Sequence, residues 1–537
     1  MKKTIASIFF VLIGTFLVSQ VKRPKLVVGI IVDQMRYEYL DRYYNDFGNE
    51  GFKRLLNKGY NFKNTHYNYM PTFTAPGHSS VYTGTTPAVH GIVGNKWYNK
   101  SLKKQMYCTD DPSVSGLGYS GKEGKMSPLN LKSTTITDEL KLATNQKGKV
   151  IGVSIKDRGA ILPVGHFADV AYWMSKSGNF MTSTYYMDTF PKWATEFNES
   201  GKIQEYIEKG WNLLRDPSVY NESIADDNPY EFIFKSKTTP TFPYNLKEIT
   251  AEGGIDQIQT TPYGNDLVLD FALEALEHEN LGKDNITDFL AISFSSTDKV
   301  GHAFGPRSME IQDTYLRLDL TIASLLKQLD KTVGKGEYLL FLTADHAGAE
   351  NPNHLRSMKY DVKNLKSKDF KKKLKKHLKD SYGYDLLEDY SNQNIFLNED
   401  VIHEKKLDYD AIVDDVKYFA QKEKFVKRAY TRKEILASSV TDYHLQMIER
   451  GFDPKQNGDL VILLDPAYME YYSVGTTHGT TYSYDTHVPN LWYGWGIKKG
   501  QTSSRKVITQ IAPTVSQLIQ ITIPNGSHGD VLEEILK

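Results

Sequence analysis

LVVGIIVDQM, residues 26–35, decides the fold. It is a nearly unbroken apolar run that ends on Asp33, the pattern of a strand buried on both faces whose far end reaches the edge of the core. Runs of the same kind recur at KVIGVSIKDR (149–158), DFLAISFSSTD (288–298), YLLFLTADH (338–346) and GDLVILLDP (458–466), and each stops in polar residues. Helical periodicity fills the intervals, as in LVLDFALEALEHE (267–279) and in MEIQDTYLRLDLTIASLLKQLDKTV (309–333). In the second, Ile311, Tyr315, Leu318, Ile322, Leu325 and Leu329 make an apolar stripe. The alternation predicts an α/β fold, a mostly parallel central sheet flanked by helices, with ligands bound beyond the carboxyl ends of the strands. Residues 167–262, rich in Tyr, Trp, Pro and Asn, read as an inserted cap above the sheet. A second insertion near 356–455 reads as a small α/β subdomain, with KDFKKKLKKHLKD (368–380) as a solvated helix face.

The chain opens like an export signal: Lys2 and Lys3, an apolar run from Ile5 to Val18, then the small Ser19. Residues 1–19 are therefore expected to be removed, leaving residues 20–537 in the periplasm or secreted, with no stable membrane insertion. Across the 537 residues, 65 Lys+Arg balance 65 Asp+Glu. That balance argues against a nucleic-acid partner, which would want a basic face. The single cysteine, Cys108 in QMYCTDDP, excludes an internal disulfide and reads as a structural thiol, so an exported fold must rest on its own core.

Six residues stand out as metal ligands. Asp298 and His302 in STDKVGHAFGP (296–306) are four apart, so one helical turn can aim both at one ion. Asp33, Asp345 and His346 each end a predicted strand, and His478 sits in VGTTHGT (474–480). Mixed carboxylate and imidazole donors suit zinc, and ligands this scattered suit a site assembled by a fold rather than a short zinc knot. Taken singly, each has a plainer reading as a cap or a surface pair.

TFTAPGHSS (72–80) offers hydroxyls at Thr72, Thr74, Ser79 and Ser80, any of which a metal could activate; chemistry alone does not rank them. SIKDRGA (154–160) places Lys156 and Arg158 just past a strand, on one side if the chain stays extended. Two such cations could grip a terminal phosphoryl group.

These motifs, with HGIVGNKWY (90–98), DTYLRLD (313–319) and IAPTVSQLI (511–519) in the same order, resemble the alkaline phosphatase superfamily. The likeness is greatest to the phosphate-irrepressible periplasmic alkaline phosphatases of Bacteroidetes type. It implies an alkaline-phosphatase-like fold and two Zn2+, one held by Asp298, His302 and His478, the other by Asp33, Asp345 and His346 with Thr74. It further implies that Thr74 is the nucleophile, that a phospho-threonine intermediate forms, and that Asn95, Lys156 and Arg158 contact the phosphoryl oxygens. His487 in YDTHVP is the rival to His478, and the resemblance favours the histidine followed by Gly479. The substrates implied are small phosphorylated molecules, monoesters above all, and the chain is expected to act as a monomer. The alternative within the superfamily is a phosphodiesterase of the nucleotide pyrophosphatase/phosphodiesterase type. One departure is Ala347, where relatives commonly carry glycine directly after the Asp-His pair.

Overall fold

A computed structural model describes residues 22–536 apart from 120, 363, 438–440 and 471–472; the expected leader, 1–19, lies outside the described residues. At its centre is a ten-stranded sheet. Five parallel strands form the middle in the spatial order Tyr338–Thr343, Leu26–Val32, Asp288–Phe294, Val150–Ser154 and Val170–Met174. All seven residues of Leu26–Val32 are buried, as a strand covered on both faces must be. Asn490–Gly494 flanks this block antiparallel on one side and Phe180–Ser183 on the other.

Four of the apolar runs thus become adjacent parallel strands, and their carboxyl ends deliver Asp33, Asp298, Asp345 with His346, and Lys156 to one edge. The fifth does not. Leu460–Leu464 belongs to a separate antiparallel sheet with Leu387–Ser391, Asn394–Leu397 and Val426–Thr431. An apolar run of five residues reads the same in either sheet. This smaller sheet buries its own core, including Leu374, Leu378, Ile395, Ile412 and Ile462. Helix Ser367–Tyr382 turns Phe370, Leu374 and Leu378 into that core and leaves most of its lysines outward.

The stretch 167–262, expected as a cap, begins with parts of the central sheet. Val170–Met174 and Phe180–Ser183 are strands of the central sheet, and the irregular part follows them. That part is held by aromatic packing: Trp211 stacks on Tyr244, and both rings meet Phe304 at the end of the helix that carries Asp298 and His302.

Helix Thr74–Thr83 lies over the central strand. It approaches closely because Gly29 has no side chain: a Cβ there would sit 2.3 Å from the Tyr82 hydroxyl. Cys108 is fully buried, and burial pushes its thiol up to about 12, which leaves it protonated and unreactive.

Candidate active site and metal centre

The sequence places an Asp-His pair four residues apart, and helix Ser296–Phe304 holds both on one face. His478 arrives from a separate loop to complete the group. Ligand atoms of Asp298, His302 and His478 lie within 4.8 Å of one another, and so do those of Asp33, Asp345 and His346. Thr74, first residue of its helix and 1% exposed, sets its hydroxyl 3.4 Å from His346 Nε2.

The three histidines are oriented alike. In each, Nδ1 faces a backbone carbonyl: Ala347 for His346 at 2.9 Å, Thr476 for His302 at 2.7 Å, and Thr72 for His478 at 2.7 Å. A carbonyl only accepts, so each Nδ1 carries a proton and Nε2 is the nitrogen turned toward the carboxylates. His302 Nε2 is 3.1 Å from Asp298 Oδ1, and His346 Nε2 is 3.5 Å from both Asp33 Oδ1 and Asp345 Oδ2. Those last two oxygens are buried and have no hydrogen-bond donor. Imidazole nitrogens with a preset tautomer facing undonated buried carboxylate oxygens are the donor set a divalent cation needs, so the residues fit the expected metal pair.

The electrostatics agree. Burial and the neighbouring Asp33 raise the Asp345 carboxyl well above its ordinary range. Burial also drives His346 down to about 3 and holds it neutral. Asp298 goes the other way: burial would raise it, but His302 and Lys156 hold it well below the usual carboxylate range. Lys156 Nζ lies between the two groups, 2.7 Å from Asp33 Oδ2 and 2.6 Å from Asp298 Oδ2.

The KDR segment is not extended. A helix begins at Asp157, with Lys156 as its N-terminal flanking residue and Arg158 in its first turn. Lys156 therefore bridges the carboxylates, while Arg158 donates to the Tyr107 hydroxyl at 3.0 Å. Asn95 accepts the Ala75 N–H through Oδ1 at 2.8 Å, which commits its nitrogen to donate elsewhere. Of the other hydroxyls, Thr72 bonds the Thr480 carbonyl, Ser80 bonds His90, and Ser79 is buried with its hydroxyl unpartnered. His487 bonds the Lys63 carbonyl and stacks between Tyr37 and His66, outside the site. Ala347 is buried, its N–H donating to the Asp485 carbonyl.

Two residues escaped the sequence reading. Gln34, in left-handed backbone at φ 63°, donates its backbone N–H to Asp345 Oδ1 and its amide to Asp298 Oδ1, so it steers one carboxylate of each group. His78 donates from Nδ1 to the Thr74 carbonyl and accepts from Ser293 at Nε2, which ties the Thr74 turn to a central strand. Its position four residues after Thr74 was the available signal.

Residues 27–488 match the family described as type I phosphodiesterase / nucleotide pyrophosphatase. A protein of Myroides odoratus named calcium-transporting ATPase is 44% identical over 97% of this chain and 96% of its own length. Alkaline phosphatase PafA of Elizabethkingia meningoseptica is 43% identical over 98% of this chain and 97% of its own. The crystal structure of wild-type alkaline phosphatase PafA superposes with a TM-score of 0.93 at 43% identity, covering 96% of this chain and 100% of that one. With the fold, the paired ligand groups and these full-length likenesses together, the chain belongs to the type I phosphodiesterase / nucleotide pyrophosphatase family and, within it, to the alkaline phosphatases of the PafA kind.

Proposed function

We propose that this protein is an alkaline phosphatase that hydrolyses phosphate monoesters through a phospho-threonine at Thr74, with two Zn2+ held by Asp33, Asp345 and His346 and by Asp298, His302 and His478. The observation that carries the reading is the convergence of both ligand groups on one sheet edge beside the Thr74 hydroxyl. When bound, the ions would supply Lewis acidity that eases deprotonation of the hydroxyl and of water and offsets charge on the leaving oxygen.

The chain's own residues do the positioning. Thr74 Oγ1 forms the new bond to phosphorus, and its place at the start of a ten-residue helix puts the positive helix end where negative charge gathers. Asn95, its oxygen already taken by Ala75, donates from nitrogen to a phosphoryl oxygen. Lys156 and Arg158 offset the charge on the remaining oxygens, Arg158 held in place by Tyr107. His302 is 33% exposed, so water reaches that side of the site to cleave the phospho-threonine. Because phosphoryl transfer has a loose transition state, such positioning and charge stabilisation make up most of the catalysis.

A diesterase is the second reading, favoured by the family's description. A diester carries one fewer anionic oxygen and gains less from two cations, so Lys156 and Arg158 favour monoesters. The name of the Myroides odoratus relative invokes calcium transport. Among the described residues no helix is long and apolar enough to cross a membrane, and the geometry supports phosphoryl hydrolysis. Both ligand groups come from one chain, in keeping with action as a monomer. The leader-like pattern of residues 1–19 supports action in the periplasm or the medium.

Initial rates of zinc-loaded protein on an aryl phosphate monoester, an aryl diester and an aryl sulfate test the reading. Monoester turnover should dominate, and Thr74→Ala should lower it by at least about a thousandfold. Full turnover in Thr74→Ala would reject the covalent step.

A further inference from the structure

Strands Leu387–Ser391 and Asn394–Leu397 of the small sheet are joined by Asn392 and Gln393, both in left-handed backbone at φ 49° and 61°, the geometry a two-residue hairpin turn needs. That turn leans on the candidate site. Asn392 Nδ2 donates to the Lys96 carbonyl at 2.5 Å, and a Cβ on Gly94 would meet the same nitrogen at 2.7 Å, so the tip is seated against both neighbours of Asn95. A cleft of about 100 Å³ is walled by Gln393, Glu470 and Asp485 together with Phe73, the residue before Thr74, and His478, a member of one ligand group. The Phe73 and His478 rings meet edge to face, their centroids 5.6 Å apart. Thr74 stands beside His346 of the other group, so in-line departure carries a leaving oxygen toward the His478 side.

Most polar groups in the walls are committed. Glu470 accepts the Tyr390 and Ser367 hydroxyls, and Asp485 Oδ2 accepts the Thr480 hydroxyl and N–H. Gln393 is different. It is 4% exposed, its Oε1 is buried without a donor, and its amide makes no hydrogen bond among the described residues. Asp485 Oδ1 is likewise buried without a donor. Acceptors withdrawn from water unpaired are costly, and an incoming group that carries hydroxyl donors would offset that cost where a hydrocarbon would not. The small volume suits a short alcohol.

We propose that Gln393 sets leaving-group specificity: with Asp485 Oδ1 it receives the free hydroxyls of the departing alcohol, so that monoesters of short polyols are preferred over those of plain alkyl alcohols. The inference rests on the hydrolase reading above and names a substrate class for it. The bond from Thr74 Oγ1 to phosphorus forms as the bond from phosphorus to the ester oxygen breaks. The electron pair leaves on that oxygen, which takes a proton from water as the polyol departs, and water then releases phosphate from Thr74. Throughout, the other hydroxyls of the polyol donate to Gln393 Oε1 and Asp485 Oδ1.

The test is kcat/KM of the zinc-loaded enzyme for glycerol 3-phosphate and for n-propyl phosphate, which share a carbon chain and differ by the free hydroxyls. Gln393→Met, unbranched like glutamine and so no harder to hold in left-handed backbone, should lower the glycerol-to-propyl ratio about tenfold, the worth of a hydrogen bond whose partner is left unpaired. Gln393→Glu keeps an acceptor and should hold the ratio within about twofold, even as its charge slows both esters. A ratio unmoved by Gln393→Met, as a merely structural role for the turn would give, would overturn the subsite, and so would a ratio lowered as far by Gln393→Glu. Turnover of neither ester by the unaltered enzyme would instead fail the hydrolase reading itself, and the subsite with it.

Discussion

Gly77 rests against the main chain of Asp345: a Cβ at that position would lie 2.2 Å from the Asp345 carbonyl oxygen and 2.7 Å from its Cβ. Helix Thr74–Thr83 therefore seats the Thr74 hydroxyl directly on the segment that carries Asp345 and His346. Gly77→Ala must lift the helix or displace Asp345. We expect kcat to fall about tenfold to a hundredfold, since displacements near 1 Å are worth that much, with stability reduced by about 1–3 kcal/mol. Initial rates and a thermal melt read both, and wild-type kcat in the variant would refute the close-approach argument.

Metal content follows from the two groups being built separately. Elemental analysis of zinc-loaded protein should give two ions per chain, and His302→Ala should retain the ion held by Asp33, Asp345 and His346 while losing the other. Chelation should lower the melting temperature, and added zinc should restore it, because an ion that binds only the folded chain stabilises it by mass action. Loss of both ions in His302→Ala would show that the groups are not independent.

Selectivity between esters is assigned to the cations. Replacing Lys156 and Arg158 together by alanine should cut monoester kcat/KM at least about tenfold more than diester kcat/KM, each lost charged contact being worth about 1.5–3 kcal/mol. Equal losses on the two substrates would remove the reason for preferring monoesters.

Acid stability has an identifiable source in Glu350. It is 2.9 Å from Arg36 and 3.0 Å from Arg307, and although burial would raise its carboxyl, the two guanidinium groups bring it down to about 2. A depressed carboxyl contributes stability that is complete above its ordinary value of 4.5 and is lost as pH falls from there toward about 2. The side chain is 16% exposed, so the contribution is on the order of 2–3 kcal/mol. Glu350→Gln should be less stable at neutral pH, and its unfolding free energy should vary less between pH 4.5 and 2, as measured by denaturant titration across that window.

Much of this site could be read before any coordinates because buried parallel strands leave a plain trace: a continuous apolar run halted by a carboxylate. Asp33, Asp298 and Asp345 follow that rule, and the four-residue step from Asp298 to His302 needs only one helical turn. The choice of Thr74 among four hydroxyls did not follow from chemistry. It depends on where a helix starts, and the neighbours that occupy Thr72 and Ser80 come from residues 480 and 90. The extended reading of Lys156 and Arg158 failed for the same reason, since a helix starts at Asp157, although both residues border one cleft. Gln34 was invisible because its part lies in backbone geometry: only a left-handed residue there lets one side chain reach Asp298 while its N–H reaches Asp345. The strand 460–464 was misassigned because hydrophobic pattern carries no record of which sheet a strand joins.

The carbonyls that fix the three imidazoles belong to Thr72, Ala347 and Thr476, on three stretches of chain far apart in sequence. Each ring is thus aimed by main chain, which no side-chain replacement at those positions removes. Stripping the ions should leave the rings pointing where they were, and recovery of activity on resupply should keep pace with ion arrival instead of waiting for the chain to rearrange.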